Sequence, residues 1–114
     1  MFVLSRDGEY EAQFNDIRFV CETVEDDFEE MAVKIAEVYE DRLEQIAGFM
    51  LEEGITDFFG ELTEEKIIAS LGAPTIDLGR GLVTYLEHTF DQEHIIEFEF
   101  DGILDELFYL NIDG

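Results

Sequence analysis

Thr23-Val-Glu-Asp-Asp-Phe-Glu-Glu-Met-Ala-Val-Lys-Ile-Ala-Glu-Val-Tyr-Glu-Asp-Arg-Leu-Glu-Gln-Ile-Ala-Gly-Phe-Met-Leu-Glu-Glu-Gly54 is the stretch on which the fold turns. Within it Val24, Phe28, Met31, Ile35, Tyr39, Leu43, Ile46 and Met50 recur at steps of three and four, the spacing that gathers side chains on one side of an α-helix. Thr23 can serve as N-cap, acidic residues fill the first turn, where a helix favours negative charge, and Gly54 can end the run. About thirty residues at 1.5 Å each would make a rod of roughly 45 Å, long for a domain of this size, so a bend or break is expected near Gly48.

The opposite side of the same helix is acidic. At about 100° per residue Asp26, Glu30, Glu37, Glu40, Asp41 and Glu44 fall together, facing away from Phe28, Ile35, Tyr39 and Ile46. Glu37 with Asp41 and Glu40 with Glu44 are like-charge i,i+4 pairs, each costing a few tenths of a kcal/mol. Only Glu30 and Lys34 stand in the favourable order, and Arg42 falls towards the buried stripe. A face that served solubility alone would do better with interspersed lysines, so these six carboxylates are the candidate surface for a basic partner, beside the plainer role of keeping the chain soluble.

The flanking zones change period. Before the helix, Phe2 and Leu4, then Tyr10, Ala12 and Phe14, alternate with polar neighbours, and Ile17 to Cys21 adds a third apolar run. A two-residue Asp7-Gly8 loop would set Leu4 against Glu11, so an odd-length loop with a bulge at Gly8 is expected instead. After the helix, a short turn through Thr56 to Phe59 leads to a second helix, capped by Thr63, burying Ile67, Ile68 and Leu71, and stopped by Gly72 before Pro74. The remainder reads as an antiparallel meander of residues 75–78, 82–88, 94–100 and 104–112. In it a five-residue loop puts His88 opposite His94, Leu86 opposite Ile96, Thr84 opposite Phe98 and Leu82 opposite Phe100. The expected fold is α+β: N-terminal strands plus the C-terminal meander form an antiparallel sheet, and the central helices cover one face. The domain is single and spans 1–114.

Composition narrows function further. The 114 residues carry 6 basic and 30 acidic side chains, a net charge of −24, which opposes direct binding to nucleic acid or to an anionic membrane. Eleven Phe and one Pro are not the make-up of a disordered chain. The short apolar start, without basic residues before it, and the absence of about 18 consecutive apolar residues lead to the expectation of a cytoplasmic protein. Cys21 is the sole cysteine, so no intrachain disulfide can form.

Catalytic and cofactor patterns are weak. Ser5, Ser70 and Cys21 stand in no nucleophile motif, and no cofactor signature is present, so the chain is expected not to be an enzyme. Gly79-Arg80-Gly81 lacks the third glycine and the Lys-Ser/Thr pair of a phosphate loop, and the Asp-Gly pairs at 7, 101 and 113 lack a calcium loop's ligand series; all are read as turns. His88 and His94, opposite one another with Glu87, Asp91, Glu93 and Glu97 nearby, make a metal-binding alternative, although two histidines hydrogen-bonded to loop carbonyls are the commoner arrangement. Six carboxylates along roughly 27 Å of helix are sparser than the phosphates of duplex DNA, one per about 1.7 Å. Glu52, Glu53, Asp57, Glu61, Glu64 and Glu65 can extend the field, which keeps nucleic-acid mimicry as a second alternative. A plainer role is to cover the cationic cleft of a nuclease, with Phe58, Phe59 or Tyr85 as central aromatic anchors.

Leu62-Thr-Glu-Glu-Lys-Ile-Ile-Ala-Ser-Leu-Gly-Ala-Pro-Thr-Ile76, Leu86-Glu-His-Thr-Phe-Asp-Gln-Glu-His-Ile-Ile-Glu-Phe-Glu-Phe-Asp-Gly102 and Tyr109-Leu-Asn-Ile-Asp-Gly114 carry a family likeness. They resemble small acidic uncharacterised bacterial domains, some of which are similar to immunity proteins that neutralise polymorphic toxins. The likeness covers about the C-terminal half and transfers no functional residue. It implies a bacterial binding protein without activity of its own, and the oligomeric state stays open, a homodimer included.

Overall fold

The computed structural model describes residues 2–113. Seven strands run in chain order across one sheet: β1 (Val3–Leu4), β2 (Tyr10–Phe14), β3 (Ile17–Cys21), β4 (Thr75–Asp77), β5 (Leu82–Tyr85), β6 (Ile95–Asp101) and β7 (Glu106–Asp113). Four helices, α1 (Phe28–Val38), α2 (Leu43–Glu52), α3 (Thr56–Phe59) and α4 (Glu64–Ser70), fill the connection from β3 to β4. This is the expected α+β architecture, except that β3 and β4 are parallel. The helical crossover brings the chain back to start its next strand in the same direction, as only a long connection can.

The first hairpin follows the hydrophobic parity. Leu4 pairs with Tyr10, and Ser5 N–H donates to the Glu9 carbonyl at 2.7 Å, leaving a three-residue loop with Gly8 at φ +85°. Thr63 is the expected cap, its Oγ1 accepting from Lys66 N–H at 3.2 Å. Gly79-Arg80-Gly81 is a hairpin turn in which Asp77 Oδ1 accepts from Arg80 N–H at 3.0 Å.

Four expectations are corrected. The long helix begins at Phe28 behind Asp27 rather than at Thr23, which leaves Val24 exposed. Its break lies at a single 3₁₀ turn, Glu40–Arg42, and Gly48 sits inside α2. Gly72 is not a left-handed stop: the helix ends at an extended Leu71, and Gly72 serves close approach, its N–H donating to the Glu87 carbonyl at 2.7 Å. Fourth, β5 and β6 pair one residue out of the expected register, Tyr85 with Ile96 and Val83 with Phe98. A one-residue slip inverts a strand, so Val83 and Tyr85 enter the core while Leu86 is 62% exposed.

The core lies between the helices and one sheet face. Phe19, Ile76, Val83, Ile96 and Phe98 from the sheet meet Ile35, Ile46, Met50 and Ile67 from the helices, all fully buried, and Phe49 packs edge-to-face on Phe98 at 5.5 Å. The other face carries cross-strand polar pairs: Arg18 with Glu11 at 2.7 Å and Asn111 with Glu97 at 3.2 Å. Late in the sheet a bulge at Tyr109 (φ +56°) reverses the parity of β7, so Leu107, Leu110 and Ile112 pack on the core while Phe108 pairs with Glu99 on the open side.

Candidate partner-binding surface

All six predicted carboxylates are exposed, but the helical break distributes them. Asp26 precedes α1, Glu30 lies on its first turn, Glu37 on its last, Glu40 and Asp41 form the 3₁₀ turn, and Glu44 opens α2. Their electrostatic settings differ. Glu30 is paired with Lys34 at 3.0 Å. Glu44 sits at a helix start, where its charge is favourable. Glu37 sits at a helix end, beside the negative pole, and the last turn of α1 holds no basic residue to offset it. Val33, 36% exposed, stands between Glu30 and Glu37 on the outer side of α1.

Beside that end the surface folds inwards. A groove of about 630 Å³ is walled by the β2–β3 turn at Asn15 and Asp16, by Ala36, Glu37, Tyr39, Glu40, Asp41 and Leu43, and by residues 71–74. Asn15, left-handed at φ +56°, donates from Nδ2 to the Ala36 carbonyl at 3.2 Å and so pins the turn to the end of α1. The structure therefore brings Glu37, Glu40 and Asp41 together with Asp16, and leaves Asp26, Glu30 and Glu44 outside the groove. No lysine or arginine among the described residues lines it. Among the described residues, Arg18 lies within 4.0 Å of Glu11, Lys34 of Glu30, Arg42 of Asp105 and Arg80 of Asp77. Tyr39, in the groove wall, turns its hydroxyl to that of Tyr85 in the core. Burial pushes the Tyr39 hydroxyl up to about 12 against a smaller opposing effect of that hydrogen bond, and holds the Tyr85 hydroxyl well above the usual tyrosine range.

The aromatic candidates separate. Tyr85 is fully buried and cannot meet a partner, because the register slip turned it inwards. Phe58 is 56% exposed, and Phe59 stacks on Phe90 with ring centres 4.9 Å apart. Both contact His94, and Phe59 and Phe90 flank His88. The histidines are not the facing pair that the sequence register implied. His88 Nε2 donates to the His94 carbonyl at 2.6 Å, and His94 Nδ1 lies 2.5 Å from Asp91 Oδ2. A carbonyl only accepts, so Nε2 of His88 is the donor, and its buried Nδ1 has no partner among the described residues. Partial desolvation acts to raise the Asp91 carboxyl, but the backbone N–H groups of His94 and Glu93 and the His94 ring together hold it below its ordinary value. Among the described residues no group of three or more His, Cys, Asp or Glu is arranged to hold a metal ion.

Asp16 and the Leu71–Pro74 wall were missed by sequence reasoning. Asn15-Asp16 between two apolar runs is a recognisable turn signal, but nothing local says which helix the turn meets. Comparison of the chain with family models, with curated proteins and with solved structures finds no match. No helix among the described residues is long and apolar enough to cross a membrane.

Proposed function

We propose that this is a non-catalytic bacterial binding protein of the cytoplasm that blocks a basic protein partner, as an immunity-type inhibitor of a toxin or nuclease does. One observation carries the reading: Glu37 at the end of α1, where no basic residue offsets it, shares a groove with Glu40, Asp41 and, from the β2–β3 turn, Asp16, and no lysine or arginine among the described residues lines that groove. Natural sequences break such a local rule chiefly where function requires it. A basic partner would supply the missing positive charge, and its association would be fast and steered.

The test is protection. Toxin-sized reading frames adjoining the gene are expressed in a sensitive host with this chain or with its Glu37→Lys/Asp41→Lys/Glu44→Lys variant. The wild type is expected to restore growth, and the variant to bind the toxin at least about 100-fold more weakly, about 2.7 kcal/mol. Equal protection by both chains would remove the helical flank as the site. Protection confined to DNA-handling targets, with the bound chain displaced by duplex DNA, would favour nucleic-acid mimicry instead.

A further inference from the structure

The groove has a floor and a rim of opposite chemistry. Ile17, Ala36, Leu43, Leu71 and Pro74 give it apolar walls, while Asp16, Glu37, Glu40 and Asp41 bring carboxylates to the same hollow. Tyr39 adds carbon surface rather than a polar tip, since its hydroxyl is already committed to Tyr85. A hollow of about 630 Å³ is within the roughly 300–1,000 Å³ of clefts that enclose small ligands, and larger than one side chain fills.

From this we infer that the groove is the anchoring subsite for a basic peptide segment of the partner, one in which an apolar side chain is flanked by Lys or Arg. The inference rests on the reading of the acidic flank as a partner surface and adds where, and by what chemistry, the partner is gripped. The apolar side chain enters the hollow and gains by leaving water; the flanking cations meet the carboxylates. Charge complementarity selects this occupant. An acidic segment would bring like charge against four carboxylates, and a neutral apolar one would leave them without counter-charge as water is displaced. The negative end of α1 points the same way, since a helix C-terminus attracts cations.

The experiment uses the whole chain and two peptides of equal charge, acetyl-Arg-Leu-Arg-Leu-Arg-amide and acetyl-Arg-Gly-Arg-Gly-Arg-amide, titrated at low salt by calorimetry with amide chemical shifts followed by NMR. The leucine peptide is expected to bind about tenfold more tightly or better, with shifts concentrated at residues 15–17, 36–43 and 71–74. Ala73→Phe, which takes up part of the hollow without altering charge, should reduce the leucine advantage several-fold and affect the glycine peptide less. Leu43→Ser, which strips apolar surface from the hollow without adding bulk, replaces it should thermal melting show Ala73→Phe unfolded. Glu37→Lys should weaken both peptides. Equal affinity for the two peptides in the wild type, or a leucine advantage undiminished in the hollow's variant, overturns the groove. If the triple charge reversal still abolishes toxin protection in that event, the acidic flank stands as the partner surface and only the groove falls.

Discussion

Tyr39 and Tyr85 meet hydroxyl to hydroxyl between the helical layer and the sheet, 46 residues apart in the chain. Each is the other's buried partner, so removing one leaves the second without a hydrogen bond, at a cost of about 1–3 kcal/mol. Tyr39→Phe and Tyr85→Phe are each expected to lose that much stability in urea unfolding. The double variant should lose less than the sum, because it orphans nothing. The pair also sets an alkaline limit. An unfolded tyrosine ionises near 10.0, whereas burial raises Tyr39 to about 12 and holds Tyr85 well above the ordinary value. Above pH 10 the unfolded chain therefore releases protons that the native chain retains, so this contribution is intact below pH 10 and is lost as pH rises through 12. Melting temperatures followed across that window should fall in the wild type and fall less in the double Phe variant. Glu37 raises the opposite issue at the same scale, a charge that its helix does not want. Glu37→Lys is expected to stabilise the chain by about 0.3–1 kcal/mol while weakening partner binding, a trade visible by pairing thermal melts with titration.

At the scale of elements, the same tyrosine contact explains what local pattern could not decide. Leu82-Val-Thr-Tyr-Leu86 is apolar at both parities, so alternation allows either face. The structure takes the odd one, where Tyr85 reaches Tyr39 and pairing with β6 ends, leaving the chain free to bridge His88 to Leu71. The helical break was equally hidden: residues 39–42 contain no Gly or Pro, and a 3₁₀ turn hardly disturbs the spacing of the buried stripe. By contrast the odd hairpin loop, the Thr63 cap and the exposure of the acidic flank each follow from a handful of neighbours, and these were legible. Of the groove's carboxylates, helix phase located Glu37, Glu40 and Asp41, but Asp16 arrives through tertiary folding alone. Gly72 marks where that folding is tightest. A Cβ there would lie 2.6 Å from the Glu87 carbonyl oxygen, which is backbone and cannot swing aside. Gly72→Ala is expected to cost about 1–3 kcal/mol and to loosen the groove wall, read by urea midpoint and by amide shifts of residues 71–74. Tyr109→Gly should go the other way. Its left-handed backbone is strained for a side chain that is 72% exposed, so glycine is expected to be neutral or stabilising by up to about 1 kcal/mol.

For the whole molecule the governing quantity is the spacing of its charge. A net −24 over 6959 Å² of surface is one charge per roughly 290 Å², or about 17 Å between neighbours, in a body measuring 41 × 27 × 22 Å. The screening length is about 30 Å at 0.01 M salt and about 10 Å at 0.1 M, so it crosses that spacing between those concentrations. Below the crossing every carboxylate feels several others, and folding must hold them together against repulsion that the expanded chain relieves. Above it only near neighbours interact. The melting temperature is therefore expected to climb between about 0.01 and 0.1 M NaCl and to level off beyond, a curve that circular dichroism can trace; a flat or falling curve would mean the surface charge is not a source of strain. The same ions act with the opposite sign on a basic partner, because they screen attraction as effectively as repulsion. Measured on one set of samples, stability should rise with salt while affinity for the arginine peptides falls. If both quantities rise together, apolar burial rather than charge is what holds the partner.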